Sequence, residues 1–277
     1  MTEITPLALI DIGANLTHHS FDHDRQAVLE RAVSAGVVQM VVTGSSVDSS
    51  VAAAKLAGQH RESLYATAGM HPHHANEFDE SALSAFRELA GDDGVVAIGE
   101  CGLDHFRNFS TPADQERAFL AQLELAAEVQ LPVFLHQRDA HDVFVGILRE
   151  YRDRLSAAVA HCFTGSTREL YDCLDLDLHI GVTGWICDER RGHDLREAVD
   201  DIPAGRLMIE TDAPYLLPRD LTPAPKTRRN EPMHLPHILD TIARHNNRSV
   251  AELARETTNT ARAFFGLAIP PETESQA

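Results

Sequence analysis

Four polar residues stand at the ends of apolar runs in this chain. Glu100 follows the run 95–98 by one glycine. His136 ends the run 132–135, His161 the run 157–160, and Asp212 the run 207–211. Each run has the length and apolar composition of a buried β-strand. A carboxylate at such a place is costly to desolvate unless a cation meets it. Two imidazoles and two carboxylates suit a divalent ion of borderline character, Zn²⁺ or Mn²⁺, and also accept Mg²⁺. An ion held with an open position lowers the pKa of bound water and polarises a phosphoryl or carbonyl oxygen. The natural reaction class is hydrolysis. A single strand-end histidine is more often a structural polar residue, but four such residues at corresponding ends are hard to explain that way.

The elements that must position them alternate. Strands are expected at 7–11, 37–43, 64–68, 95–98, 132–136, 157–161, 178–183 and 206–211, with helices between them. Thr111-Pro112-Ala113-Asp114 is a helix start with an N-cap, proline at the first helical position and an acid two residues on. Ser249 and Glu252 form a capping box that opens the last helix. Eight strands alternating with helices predict parallel pairing. An open doubly wound sheet competes, but it has no need for polar residues at many strand ends. A closed (β/α)₈ TIM barrel does, because its active site gathers residues from the C-terminal ends of several strands. No composition break marks a second domain, so the barrel is expected over 1–267, with a frayed tail over 268–277. Strand alternation then puts Ile98 and Val96 on the inward face with Glu100, Phe134 with His136, and Val159 with His161. Glu210 would lie one layer below Asp212 and needs a partner.

Bulk properties narrow the function classes. The chain has 277 residues, 43% of them apolar, enough for a substantial core. Its four cysteines lack CxxC spacing, which argues for a reduced, intracellular protein rather than a disulfide framework. No leader pattern and no membrane-length apolar run are present. The net charge of −18 counts against coating nucleic acid through a general field, though not against gripping a few phosphates locally.

Further candidates lie in the loops. His71, in GMHPHH, is a candidate for holding substrate, ahead of His73 and His74. Arg138 points into the same mouth as His136. Arg191 and Arg228 follow the seventh and eighth strands, and the segment 219–231 carries four bases against two acids. Guanidiniums hold phosphate bidentately. Trp185, the one tryptophan, could stack a base but is more simply a packing residue. The group His18, His19 and His23 reads as a solvated loop.

GMHPHH, GECGLD, FLHQRDA, AHCFTG and ETDAPYLLP occur in this order, and together they resemble the TatD family of metal-dependent hydrolases. The match runs from Asp11 to Gly266. RRNEP and WICDERRG further resemble the branch from which the family takes its name. The resemblance implies a (β/α)₈ barrel and a cytoplasmic, Mg²⁺-dependent deoxyribonuclease. The implied reaction is 3′→5′ exonuclease action on single-stranded DNA, and also RNA, through a metal-activated water. Carried over by position, Glu100, His136 and His161 are metal ligands, and Asp212 is a ligand or the base that orients the water. His71, Arg138, Asn15, Arg191 and Arg228 are the substrate-binding candidates. Many family members have an H-x-H pair after the first strand; this chain has Gly13-Ala14-Asn15. That favours one firmly held ion, with a second recruited alongside substrate phosphate. A monomer is expected. Two other readings compete: an ester hydrolase such as a D-aminoacyl-tRNA deacylase, and a degenerate, non-catalytic barrel.

Overall fold

The computed structural model describes residues 8–269. Part of the first expected strand (Leu7) and most of the expected tail, from Pro270 on, lie outside the described residues. Eight strands pair in parallel in the order β1 to β8: Leu9–Ala14, Val37–Val42, Leu64–Ala68, Val95–Asp104, Val133–Arg138, Ala158–Ala160, His179–Val182 and Leu207–Ile209. Nine α-helices accompany them among the described residues: α1 Arg25–Ser34, α2 Val47–Gln59, α3 Glu80–Leu89, α4 Pro112–Val129, α5 His141–Tyr151, α6 Thr167–Asp175, α7 His193–Ala198, α8 Leu235–His245 and α9 Val250–Phe265. The expected caps form. Thr111 accepts from the Asp114 amide and Ser249 from that of Glu252.

Two apolar layers hold the barrel. The outer one lies between strands and helices. The inner one gathers Ile10, Ile12, Val41, Val96, Phe134, Val159 and Met208 with Phe264, Phe265 and Leu267 from the end of α9. The Gln39 amide donates to the Ala268 carbonyl at 2.7 Å, near the start of β2, so α9 closes the N-terminal end of the barrel. The C-terminal end stays open. Leu267 is buried and Ile269 is 76% exposed, so burial ends within two residues of the expected domain boundary.

The seam between β8 and β1 is closed by the segment after β8. The Asp212 amide donates to the Gly13 carbonyl at 2.8 Å, and the Asn15 amide to that of Ala213 at 2.7 Å. Buried Asp11 accepts from the Thr211 amide at 2.9 Å and from its hydroxyl at 2.5 Å. Burial pushes the Asp11 carboxyl up to about 7 against those hydrogen bonds. A carboxyl raised above its unfolded value stabilises most below about 4, and that contribution is lost as pH rises through 7. Asp11→Asn should therefore flatten the pH dependence of unfolding between pH 4 and 7 by on the order of a few kcal/mol. Urea unfolding of both chains across that range checks it; parallel curves would refute it.

Candidate metal centre and active site

β4 runs on through Glu100 to Asp104, where the sequence suggested a strand ending at Ile98. Gly99 and Gly102 flank the acid at φ +135° and +143°. A Cβ on Gly99 would strike the Phe134 carbonyl oxygen, and one on Gly102 that of His136. Only glycine lets β4 and β5 press together in this conformation. Their register slips between Gly99 and Cys101. Strict alternation consequently fails here. Val96, Phe134 and Val159 join the inner layer as expected, but Ile98 packs in the outer one.

Glu100 is 6% exposed, and three imidazoles converge on its Oε1. His136 Nδ1 lies at 2.9 Å, His161 Nε2 at 3.2 Å and His71 Nε2 at 3.4 Å. Burial alone would raise the Glu100 carboxyl, but His71 and His161 outweigh it and hold the group well below the usual carboxylate range. Burial opposes charging His161 too, yet the carboxylates of Glu210 and Glu100 push it well above the ordinary imidazole value. His136 is raised similarly against burial, by Asp104 and Glu100. His71 goes the other way: burial dominates and holds it well below its ordinary value, so it is a neutral donor. His136 Nε2 is buried with no hydrogen-bond partner, an orphaned nitrogen beside a buried carboxylate. That donor set fits a divalent cation. Donor atoms of His71, Glu100 and His136 all lie within 4.8 Å of one another. His71, expected to hold substrate, thus stands among the candidate ligands.

The partner that a buried Glu210 needs is His161. Glu210 is fully buried; its Oε2 lies 2.7 Å from His161 Nδ1, and its Oε1 accepts from the Cys162 amide at 2.6 Å. This keeps a proton on Nδ1, so Nε2, which faces Glu100, is the nitrogen left to give up its proton to an ion. A Cβ on Gly13 would strike Glu210 Oε2. The space beside Gly13 is therefore filled by Glu210. Glu210→Gln presents an amide N–H to His161 Nδ1 and forces the other tautomer. Metal affinity should fall roughly 10- to 100-fold with the fold intact. Calorimetric Mn²⁺ titration with circular dichroism checks this; unchanged affinity would remove Glu210 from the site.

Asp212 follows β8 at φ +54°, a left-handed conformation that turns its side chain into the mouth. Asn15 Nδ2 donates to its Oδ1 at 2.9 Å. Burial, reinforced by Glu100 and Glu210 and opposed by His161 and Asn15, pushes the Asp212 carboxyl up to about 7.

Asn15, His71, Glu100, His136, His161 and Asp212 line one cavity of about 580 Å³, shared with Arg107, Arg138, Phe109, Trp185 and Tyr215. The Arg138 guanidinium lies 4.1 Å over the Phe106 ring. Arg191 and Arg228 do not line the cavity. Arg191 is tied to Asp188 and stacks 4.1 Å over Trp185, whose indole N–H donates to its carbonyl. Arg228 is exposed. The positive patch around it is weaker than its composition suggests, because Arg229 is paired with Asp24 and Glu231. Asp104 was missed. It is 2% exposed, with Oδ2 2.7 Å from His73 Nε2 and 3.7 Å from His136 Nε2. Burial would raise it, but His136, 3.7 Å away, and the hydrogen bond with His73 hold it well below the carboxylate range. Its even spacing from Glu100 could have signalled a shared strand face. A larger depression of about 810 Å³, around His179, Gly205 and Arg248, lies toward the closed end and gathers no convergent donors.

Among the described residues no helix is long and apolar enough to cross a membrane. The family model described as "TatD related DNase" matches residues 10–266. The chain is 52% identical over 260 residues to a protein of Escherichia coli (strain K12) named "3'-5' ssDNA/RNA exonuclease TatD", covering 94% of this chain and all of that one. A protein of the same name from Erwinia amylovora is 54% identical over 259 residues, with the same coverage. Among solved structures, YJJV, a TatD homologue from Escherichia coli k12, superimposes with a TM-score of 0.86 at 27% identity, covering 95% of this chain and 100% of that one. A TatD-family hydrolase from Entamoeba histolytica gives 0.86 at 26%, with the same coverage. With a buried carboxylate ringed by imidazoles at the open end of an eight-stranded barrel, and a family match over nearly its whole length, this chain belongs to the TatD-related DNase family.

Proposed function

We propose that a single barrel domain, residues 1–267, is a metal-dependent exonuclease that removes nucleotides from the 3′ ends of single-stranded DNA and RNA. The observation that carries this reading is the meeting of His71, His136 and His161 on one buried oxygen of Glu100, beside the unpartnered Nε2 of His136. These four residues would hold the ion, and Glu210 would fix the tautomer of His161. When bound, the divalent ion, Mg²⁺ in the cell, supplies the positive charge and the polarised water that phosphodiester hydrolysis needs.

The remaining roles belong to the chain. Asn15 fixes one oxygen of Asp212, and the other takes up the proton of the attacking water. Arg138 and Arg107 line the cavity, and neither is in an ion pair among the described residues, so both are free to hold phosphates on an acidic protein. Phe109, Trp185 and Tyr215 offer faces on which unpaired bases can stack, as single-strand readers require. Arg191 acts through Trp185 by clamping its ring. All these groups come from one chain, which suits a monomer, and the four unpaired cysteines suit the reducing cytoplasm.

The test uses the whole chain with Mg²⁺ on single strands labelled at either end and on an aminoacyl-tRNA. Immediate release of the 3′ label as mononucleotide, abolished by a chelator, is expected. Turnover of the aminoacyl ester instead, or of nothing with Mg²⁺, Mn²⁺ or Zn²⁺, would refute the reading.

A further inference from the structure

A second group of metal donors lies outside the cavity. Cys187 ends the short 3-10 turn Gly184–Cys187 after β7, Asp220 lies in the long loop after β8, and His237 sits near the start of α8. A sulfur, a carboxylate oxygen and an imidazole nitrogen from these residues lie within 4.8 Å of one another. None of the three lines the cavity around Glu100. Sequence separations of 33 and 17 residues mean that only the tertiary fold brings them together.

The three types could also suggest a thiol nucleophile with a histidine base. Burial rules that out, because Cys187 is 0% exposed and no substrate atom can reach its sulfur. An ion can enter from the other side, where the side chains of Asp220 and His237 are 23% and 26% exposed. Those two are already hydrogen-bonded, with His237 Nε2 2.7 Å from Asp220 Oδ1. Opening that pair by roughly 0.6 Å gives the ligand separation of a tetrahedral zinc site. The thiol has only a weak partner, the Thr241 hydroxyl at 3.5 Å.

We propose that Cys187, Asp220 and His237 form a second, structural site for a thiophilic divalent ion, Zn²⁺ by its chemistry. Binding forms one bond from the ion to each residue, with water completing the shell. It releases the thiol proton to solvent, while the proton between His237 and Asp220 moves to His237 Nδ1 and frees Nε2 for the ion. One thiolate and one carboxylate neutralise the ion, so no net charge is buried. The ion ties the loop after β7 to the loop after β8. Trp185 and Tyr215, on those same loops, wall the active-site cavity, so the ion braces that wall.

The test reads sulfur ligation and is independent of nuclease activity. Metal-free full-length protein is titrated with Co²⁺ and the near-ultraviolet thiolate-to-cobalt charge-transfer band is followed. One equivalent should develop the band, and Zn²⁺ should bleach it. The band should vanish in Cys187→Ser and weaken at least tenfold in apparent affinity in His237→Gln. It should persist in Glu100→Gln and in Cys162→Ser, a thiol on the wall of the main cavity. If Cys187→Ser does not fold, the part-exposed changes His237→Gln and Asp220→Asn carry the test. No band in the parent chain, a band surviving Cys187→Ser, or one unaffected by both His237→Gln and Asp220→Asn would overturn the proposal.

Discussion

Replacing Glu100 by glutamine should lower turnover of a single-stranded substrate by on the order of a thousandfold. Charge stabilisation by a bound ion is worth several kcal/mol, and each 1.4 kcal/mol is about tenfold in rate. Glutamine keeps the shape of the side chain but removes the one anionic oxygen on which three imidazoles converge. It also turns an amide N–H toward donors that must be bare to bind an ion. The metal-free protein should also lose stability, because a carboxylate held well below its usual range stabilises the fold and its imidazoles lose their partner. Stabilisation by added Mn²⁺ should disappear. Thermal melts with and without the ion, run beside the activity assay, separate these effects. If the variant kept its Mn²⁺-dependent rise in melting temperature and stayed within tenfold of parent activity, Glu100 would not be the hub.

The second large effect is expected at Asp212. Loss of a general base commonly costs about 10² to 10⁴ in rate, and Asp212→Asn should fall in that range at saturating ion. The pH profile is the sharper readout. Burial first, then the charges of Glu100 and Glu210, raise the Asp212 carboxyl to about 7 in the ion-free protein. The carboxylate is the form that accepts a proton, so activity should climb as pH rises through 7. A bound cation favours the carboxylate, so saturating ion should move the rising limb to lower pH. Metal affinity should also rise with pH in both chains, because the raised imidazoles His136 and His161 must lose protons to bind an ion. Only the kcat profile at saturating ion therefore isolates Asp212. A variant with an unchanged limb would assign the proton transfer to another group.

The strand ends were legible because each is a local statement. A short apolar run followed by a charged or imidazole side chain declares both a buried strand and an unmet cost at its end. Helix starts at Thr111 and Ser249 were legible for the same reason, since a cap is decided within four residues. The course of β4 past Ile98 was not. A glycine between two hydrophobic segments reads as a turn, and only the contact with β5 shows that Gly99 and Gly102 are there to let two backbones approach. With the strand cut short, Asp104 lost its place on the face it shares with Glu100. The loop arginines were misjudged for a related reason: Arg191 and Arg229 are spent on Asp188, Asp24 and Glu231, and those pairings have no local signature.

By itself, then, the sequence determined the alternation of eight strands and their helices, the polar residue at each critical strand end, and the absence of histidines at Gly13 and Asn15. These follow from local propensity, periodicity and the cost of burying charge. Only the tertiary structure decided that His71 joins His136 and His161 around one oxygen of Glu100, and that Glu210 orients His161 while filling the space beyond Gly13. The tertiary structure also decided which arginines remain free at the mouth. Each of these is a distance between residues tens to hundreds of positions apart. Barrel closure and the slipped register of β4 set such distances, and no window of the chain contains both ends of them.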